Sequence, residues 1–263
     1  MISIIVSTHK PKMLEKFSEN LSQTIGIEYE LITIENNAEY SICEVYNWGI
    51  ERSIYPYLCF VHEDVIFKTN DWGKRLTSIL EQDAKIGLIG VAGSKFKSTY
   101  PLSGWGQGPS LSKYKRGHIY HQLGNEDKSY LNFDESSTFK EVEDVVCLDG
   151  VFLFSKKEVF KYCRFDDKML THFHGYDLDI SLQVFFQSYR VLVDRGIELI
   201  HFSGGNYSTE YTIANKKIWK KWMLKFPVAS KDLKLSCYQL YKIDVVNWFY
   251  SSRDSIKRKL HIK

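Results

Sequence analysis

Apolar and polar positions form two kinds of segment along the first 93 residues. Continuous apolar runs bounded by turn residues predict buried strands at 2–8, 29–35, 57–61 and 86–93. Apolar residues at helical spacing predict helices at 12–25, 41–53 and 70–82, the last with Asn70 or Asp71 as N-cap. Strands that alternate with helices indicate an α/β fold, a mostly parallel central sheet flanked by helices.

The regular pattern changes after residue 93. Residues 94–140 are rich in Gly, Ser, Tyr and Lys, which predicts a long loop over a site. Residues 145–160 predict two short strands around Asp149 and Gly150, followed by a helix. The chain shows neither an internal repeat nor a low-complexity segment.

Three polar residues, His62, Glu63 and Asp64, follow the apolar run 57–61 directly. An unpaired charge in a dry core costs several kcal/mol, so these side chains are unlike strand-interior residues. We therefore expect the strand to end at about Val61, with the polar trio in a cleft at its carboxyl edge. Open α/β sheets bind their ligands at this edge.

The composition fits a folded globular protein, since 263 residues with 44% hydrophobic content are ample for a core. The cysteines are widely spread and lack CxxC spacing, which argues against a disulfide framework or a thiolate zinc site. We expect them to be buried free thiols. They are Cys43, Cys59, Cys147, Cys163 and Cys237.

The charge is distributed unevenly, although the net charge is only +3. Residues 216–263 contain 13 Lys and Arg against 3 Asp, so residues 1–215 contain 22 basic and 29 acidic residues. An acidic body is a poor nucleic-acid binder, whereas a basic, aromatic tail suits an anionic membrane or an acidic protein. We predict a main domain at 1–225 and a helical, basic extension at 226–263.

Targeting signals are not evident in the sequence. It has no uncharged apolar run of about 18 residues, and "ISIIVST" follows Met1 without a preceding basic segment. We therefore expect neither a membrane span nor a signal peptide, and cytoplasmic residence. The oligomeric state is left open.

The order of short motifs resembles the family 2 nucleotide-sugar glycosyltransferases of the GT-A fold over about residues 1–225. "IIVSTHKP" resembles their first strand and donor loop, "IENN" the end of their second strand, and "YNWGI" their Asn-containing helix. "FVHEDV" stands where the family carries its metal-binding DxD. "HGYDLDISLQ" (174–183) is similar to the GxEDxDL segment, and "HFSGG" (201–205) to a late metal-binding His. Each motif is short, and their order and spacing carry the resemblance.

The resemblance implies a Mn²⁺ or Mg²⁺ ion held by Asp64 and His201 against the diphosphate of a nucleotide-sugar donor. A hard divalent cation prefers oxygen ligands, and Mn²⁺ tolerates an imidazole better than Mg²⁺ does. His62 replaces the usual first Asp of the motif. Its ring either contributes to the donor site or packs at the strand end with a hydrogen bond to backbone.

The resemblance also implies a general base, because an acceptor hydroxyl must lose its proton as it attacks the sugar. The alignment places Asp177 at the base, Tyr176 where Glu is usual, and Asp179 at a supporting acid. The alternative for Asp177 is an N-cap, because a helical pattern starts beside it.

Further donor-site candidates follow from the resemblance, and each has a plain alternative as a solvated, turn or packing residue. They are Thr8, His9, Glu35, Asn37, Asn47, Glu63 and Asp149. Trp105 is a candidate stacking platform for an acceptor sugar or a local packing anchor. "SGGNYS" resembles a lid, with Gly204 and Gly205 as hinge candidates.

These observations lead to an inverting, metal-assisted glycosyltransferase that acts on a glycan or lipid-linked acceptor. A non-catalytic nucleotide-sugar or glycan-binding module remains the alternative, because of His62 and Tyr176. A nucleotidyltransferase fits less well, since "THKPKML" lacks a glycine-rich loop.

The aromatic residues of 214–226 predict a helix whose Trp219 and Trp222 pack on the body or on a second subunit. Residues after about 236 predict peripheral, salt-sensitive contact with the inner face of a membrane.

Overall fold

The computed structural model describes residues 1–106, 111–117, 119–122, 129–132, 140–203 and 208–259. The strands are β1 Ile2–Thr8, β2 Tyr29–Glu35, β3 Tyr57–Val61, β4 Val65–Phe67, β5 Ile86–Gly90, β6 Ala92–Ser94, β7 Phe96–Lys97, β8 Lys115–Gly117, β9 Ile119–Gln122, β10 Ser129–Asn132, β11 Val142–Val145, β12 Cys147–Leu148, β13 Phe152–Lys156, β14 Arg190–Asp194, β15 Leu199–His201 and β16 Val228–Ala229. The helices are α1 Pro11–Thr24, α2 Ile42–Arg52, α3 Trp72–Gln82, α4 Tyr176–Phe186, α5 Thr209–Trp222 and α6 Cys237–Lys259.

The central sheet has seven strands in the order β11-β14-β5-β13-β3-β1-β2. The pairs β1/β2, β1/β3 and β14/β5 are parallel, whereas β13/β3, β13/β5 and β11/β14 are antiparallel. The α/β class is therefore confirmed, but the sheet is mixed where a mostly parallel one was expected. The difference arises because β13 enters between β3 and β5 in the opposite direction.

The core lies on both faces of the central sheet. Along β3, Leu58 and Phe60 pack toward α2 and α4, whereas Cys59 and Val61 pack toward α1 and α3. Successive strand side chains point to opposite faces, so a strand buried on both sides is apolar throughout. Among the cysteines, Cys43, Cys59, Cys147 and Cys163 are buried, Cys237 is exposed, and all five are free thiols.

Local signals set the helix starts. Ser41 caps α2 in a reciprocal capping box with Glu44, which satisfies two backbone N–H groups. Asp71 occupies the predicted N-cap position of α3, but its side chain makes no cap hydrogen bond and instead pairs with Lys74 at 2.7 Å. Gly175 precedes α4 with φ of +88°, and a Cβ there would lie 2.7 Å from Ile218 Cδ1. Only glycine fits that approach without strain.

The expectation of one long loop over 94–140 is wrong for the described part of that segment. β7, β8, β9 and β10 lie within it, and β9 joins a four-stranded sheet in the order β10-β9-β15-β4. Strands of two to four residues are too short to give a periodic signal. The helix expected near residue 160 is a 3₁₀ turn over Lys157–Lys161.

The C-terminal segments pack on this body. Ile218 is buried, and Trp219 and Trp222 are partly buried against the core, which confirms the packing interpretation of α5. The strand β16 pairs with β7, and Asp244 of α6 accepts a hydrogen bond from Ser98 Oγ at 2.6 Å. None of the helices described is both long enough and apolar enough to cross a membrane.

Candidate active site

Three parts of the chain meet at the carboxyl edge of the central sheet. The parallel strands β1 and β3 end there, and the segment after β3 is held by a hydrogen bond from His62 N to Val151 O of 3.2 Å. The N-terminus of α4 reaches the same place, because Tyr176 Oη lies 2.7 Å from His62 Nε2. The expected end of β3 at Val61 is confirmed.

His62, Asp64 and His201 form one cluster whose nitrogen and oxygen atoms could hold a metal ion and lie within 4.8 Å of one another. His201 Nε2 lies 3.3 Å from Asp64 Oδ1 and 3.4 Å from His62 Nδ1, and His62 Nδ1 lies 4.0 Å from Asp64 Oδ1. His201 arrives through the antiparallel pair β15/β4, in which it faces Val65. Phe202 N also donates to Asp64 O at 2.9 Å.

The protonation of this cluster suits a cation. Burial lowers the pKa of His62 to about 4, and the neighbouring His201 acts in the same direction, so the ring is neutral at pH 7. Burial raises the pKa of Asp64, but His201 and His62 outweigh this effect and bring it below its usual value. A neutral imidazole and an ionised carboxylate are the forms that bind metal ions.

The spacing of the donor atoms also fits a cation. Ligands about 2.1 Å from a metal and separated by 90–109° lie roughly 3.0–3.4 Å apart. Two of the three separations are close to this range, and the His62–Asp64 separation is slightly wider. Two imidazoles and one carboxylate suit Mn²⁺ better than Mg²⁺, which prefers oxygen ligands alone.

Glu63 contacts the loop between β1 and α1, unlike its neighbours His62 and Asp64. Its carboxylate accepts hydrogen bonds from Thr8 Oγ1, from His9 N at 3.2 Å and from Lys10 N at 3.2 Å. It also lies 3.0 Å from His9 Nδ1, and it is buried. Glu63 therefore holds the β1–α1 loop, including Thr8 and His9, against the end of β3.

Asp177 is the second residue of α4, and Gly175 is the N-cap, so the interpretation of Asp177 as an N-cap is wrong. Asp177 Oδ2 accepts a hydrogen bond from Gly150 N at 3.2 Å. Burial raises its pKa to about 7, and the negative charge of Asp149 contributes in the same direction. Asp149 Oδ1 accepts from Val151 N at 3.0 Å. A carboxyl group with a pKa near 7 is matched to base catalysis at neutral pH.

Asp179 lies on the other side of α4 and connects two helices. Its Oδ1 accepts from Trp222 Nε1 at 2.8 Å, and its Oδ2 accepts from Lys221 Nζ at 2.8 Å and from Gln183 Nε2 at 2.8 Å. It is almost fully buried. Asp179 therefore fastens α5 to α4, a supporting arrangement with no contact to the cluster in the hydrogen bonds described.

The remaining predicted residues differ in their surroundings. Asn47 is buried and donates to Phe165 O at 2.8 Å and to Asp167 Oδ2 at 3.0 Å. Glu35 and Asn37 are exposed at the end of β2 and lie 3.4 Å apart.

Two further predicted features complete the comparison with the sequence. Trp105 packs against the core and has Lys115 Nζ 5.6 Å from its ring centre. The hinge candidates Gly204 and Gly205 lie outside the described residues.

Two residues beside the cluster were not assigned a role from the sequence. Phe173 is 51% exposed, with its ring centre 5.4 Å from that of His62. Tyr176 was noted only as a replacement for Glu, yet its hydroxyl contacts His62 and donates to Gly150 O at 2.9 Å. The aromatic residues of "HFHGY" were the available signal, but their spacing does not show which of them faces the strand ends.

Solved structures similar to this chain share its fold. GalNAc-T7 with UDP, GalNAc and Mn²⁺ matches with a TM-score of 0.60 and 9% identity, over 86% of this chain and 49% of that one. S. aureus TarS in complex with UDP-GlcNAc matches with a TM-score of 0.51 and 11% identity, over 79% of this chain and 60% of that one. The chain thus spans between about half and three fifths of these proteins.

Sequence comparison gives a family assignment. No curated protein sequence matches the chain. The profile of the "Glycosyltransferase like family" matches residues 3–222, which is most of the chain. The matched range includes the His62–Asp64–His201 cluster and α4. The chain belongs to this glycosyltransferase-like family and has the GT-A fold of its structural neighbours.

Proposed function

We propose that the protein transfers a sugar from a nucleotide-sugar donor to a hydroxyl group of a glycan or lipid-linked acceptor, with inversion at the sugar. The observation that carries the proposal is the meeting of a His62–Asp64–His201 cluster and the raised-pKa carboxyl of Asp177 at one sheet edge. The family assignment and the nucleotide-sugar complexes of proteins with this fold support the choice of donor.

The cluster would hold a divalent cation, for which Mn²⁺ suits the donor set best. When bound, the cation would offset the negative charge that develops on the departing diphosphate. In this proposal His62 is a third ligand beside Asp64 and His201, and its ring does more than pack at the strand end. Mn²⁺ is present in the GalNAc-T7 structure.

Asp177 would act as the general base. The acceptor oxygen forms a bond to the anomeric carbon of the sugar, the bond from that carbon to the diphosphate breaks, and the hydroxyl proton passes to the Asp177 carboxylate. An attack from the face opposite the diphosphate inverts the configuration. Asp149 would keep this carboxyl basic through its own negative charge.

The residues around the cluster would position the donor. Thr8 and His9 lie on the loop fixed by Glu63, and Glu35 and Asn37 are accessible at the end of the neighbouring strand β2. Glu63 would act by holding the loop, since its carboxylate is already occupied by four hydrogen-bonding atoms. Asn47 would support the site through the segment that contains Phe165.

The helix α6 has an unusual arrangement for a surface helix. Its polar residues Asp244, Asn247 and Ser251 are buried against the body. Tyr238, Tyr241, Val245 and Phe249, at helical spacing, are exposed instead. An ordinary surface helix buries its apolar face and exposes its polar one.

An exposed aromatic face marks an interaction surface. Aromatic residues suit the interface of a bilayer, and each Lys or Arg near an anionic membrane contributes about 1 kcal/mol. Residues 253–263 contain five Lys and Arg against one Asp. We therefore place α6 on an anionic membrane, where a lipid-linked acceptor would be met.

The first prediction concerns the cation. Mn²⁺ together with UDP should raise the Tm of the wild-type protein by several degrees, because a ligand at about 100 times its Kd adds roughly 2.7 kcal/mol to stability. Asp64→Asn should abolish the Mn²⁺-dependent part of this shift, measured by thermal denaturation with and without EDTA. Asp71→Asn is the matched control, since Asn tolerates the left-handed backbone at that exposed position. An equal shift in Asp64→Asn, or one unaffected by EDTA, would contradict the metal site.

The second prediction concerns the base. Asp177→Asn should lower kcat by roughly 10²- to 10⁴-fold while donor affinity stays the same. The kcat/KM of the wild type should rise with pH and level off above about 7, since the base must be ionised. Wild-type turnover in the variant would show that another group takes the proton.

Stability provides the control for this substitution. The folded-state pKa of Asp177 is raised from 3.8 to about 7, so its ionisation lowers stability as the pH rises between these values. Asn stays neutral, and the Tm of Asp177→Asn should equal or exceed that of the wild type at pH 8, with the gain absent at pH 4. A lower Tm at pH 8 would mean that the activity loss reflects damage to the fold.

The third prediction concerns the membrane. Changing Lys257, Arg258 and Lys259 to Gln should weaken binding to anionic vesicles by roughly tenfold or more, since three charges are lost. Tyr241→Ser with Phe249→Ser should also weaken it, because both side chains are about two-thirds exposed on α6. Ile54→Ser, at an exposed position far along the chain from α6, is the control. Co-sedimentation that is equal for all forms, or equal on neutral and anionic lipid, would refute membrane docking.

A further inference from the structure

The hydroxyl of Tyr176 contacts Gly150 O and His62 Nε2 at the edge of the His62–Asp64–His201 cluster, and Tyr46 is a further polar neighbour. The Tyr176 hydroxyl oxygen is 2.9 Å from Gly150 O and 2.7 Å from His62 Nε2. A carbonyl oxygen only accepts hydrogen bonds, so the single hydroxyl proton of Tyr176 is donated to Gly150 O. The hydroxyl oxygen is then the acceptor toward His62, and His62 Nε2 must carry a hydrogen.

A hydrogen on His62 Nε2 also determines the protonation of Nδ1, the other ring nitrogen. In a neutral imidazole one nitrogen carries the hydrogen and the other a lone pair, so Nδ1 of His62 carries the lone pair. Nδ1 is the atom that faces His201 Nε2 at 3.4 Å and Asp64 Oδ1 at 4.0 Å. The lone pair is therefore directed into the cluster, where a cation needs it.

We propose that Tyr176 is a positioning residue that holds His62 as the Nε2–H tautomer and so presents Nδ1 to the cation. The inference rests on the proposed function and adds to it a residue that does not contact the metal. Partners that orient metal-bound imidazoles in this way typically change metal affinity by 10- to 100-fold when they are removed.

The surroundings of Tyr176 make this contact rigid. Its ring is buried and packs edge-on against Tyr46 at 5.5 Å between ring centres. Gly150 permits the close approach, because a Cβ at this position would lie 2.3 Å from the Tyr176 hydroxyl oxygen. The glycine is required here by space, since its backbone does not have a positive φ.

One residue, Gly150, connects this contact to the base through its two flanking peptide groups. The oxygen of Gly150 accepts from Tyr176, and the nitrogen of Gly150 donates to Asp177 Oδ2 at 3.2 Å. The hydroxyl of Tyr176 acts on the metal ligand, whereas the Gly150 N–H acts on the base. Removal of the hydroxyl alone should therefore weaken cation binding and leave the Asp177 hydrogen bond in place.

The test is Tyr176→Phe, which keeps the ring and removes the hydroxyl. Nitrogen-15 NMR of the His62 ring, recorded on cation-free protein near pH 7, should show mainly the Nε2–H tautomer in the wild type. In the variant the Nε2–H tautomer should no longer be the main form. Titration with Mn²⁺ alone should show affinity reduced by roughly 10- to 100-fold. Tyr114→Phe, a buried tyrosine in a separate apolar cluster, is the matched control and should retain both properties.

A second variant tests the same contact from the other side. Gly150→Ala keeps the tyrosine but places a methyl group where its hydroxyl lies, and it should reduce Mn²⁺ affinity in the same way. Because the added Cβ would also lie 2.9 Å from Asp177 Cβ, this variant should in addition lower kcat.

The outcomes separate this inference from the proposed function. A wild-type His62 ring with its hydrogen on Nδ1 overturns the inference, as does unchanged Mn²⁺ affinity in Tyr176→Phe. Failure of wild-type protein to bind Mn²⁺ at all overturns the proposed metal function and, with it, the role of Tyr176. A Tyr176→Phe variant with a much lower Tm than Tyr114→Phe would assign the hydroxyl to fold stability instead.

Discussion

The candidate site depends on the pairing of two short strands, β4 and β15. This pairing places His201 opposite Val65 and brings its ring to Asp64 and His62, although His62 and His201 are 139 residues apart in the chain. Neither strand is long enough to be stable alone, so the tertiary structure must hold both. β9 pairs with β15 on its other side and completes the small sheet that supports the cluster.

A second constraint is the charge at the sheet edge. Asp64 and Asp149 both act on His62, and burial together with the negative charge of Asp149 raises the pKa of Asp177 to about 7. Such an arrangement costs stability, and perturbed carboxyl groups of this kind concentrate at functional sites. In the proposed function, this negative charge attracts the cation and the raised pKa makes Asp177 a base. A non-catalytic binding module would not need a base of this pKa, which favours the enzyme.

Sequence reasoning predicted the strands and helices of the first 90 residues except the short β4, because their apolar runs and helical spacings are long enough to be distinctive. It also placed the polar trio at the end of β3, since charged residues cannot stay in a dry core. The direction of β13 could not be predicted, because contacts far apart in the chain determine it. The strands β7 to β10 could not be predicted because they are too short to show a period.

The individual residues show the same limit. Asp64 and His201 were brought together as expected, and His62 proved to contact both. Adjacent residues in an extended segment point in opposite directions, yet the sequence does not show that Glu63 turns toward the β1–α1 loop. Asp179 resembles Asp177 in the sequence, but it lies on the face of α4 that meets α5. Side-chain direction, which depends on packing, decided each of these roles.

The central claim is that His62, Asp64 and His201 hold one divalent cation at the end of β3. Anomalous X-ray diffraction at the manganese edge, from crystals grown with Mn²⁺ and UDP, tests it most directly. The account predicts a single strong peak within coordination distance of His62 Nδ1, a carboxylate oxygen of Asp64 and His201 Nε2. A peak elsewhere, or bound UDP with no peak at this cluster, would contradict it.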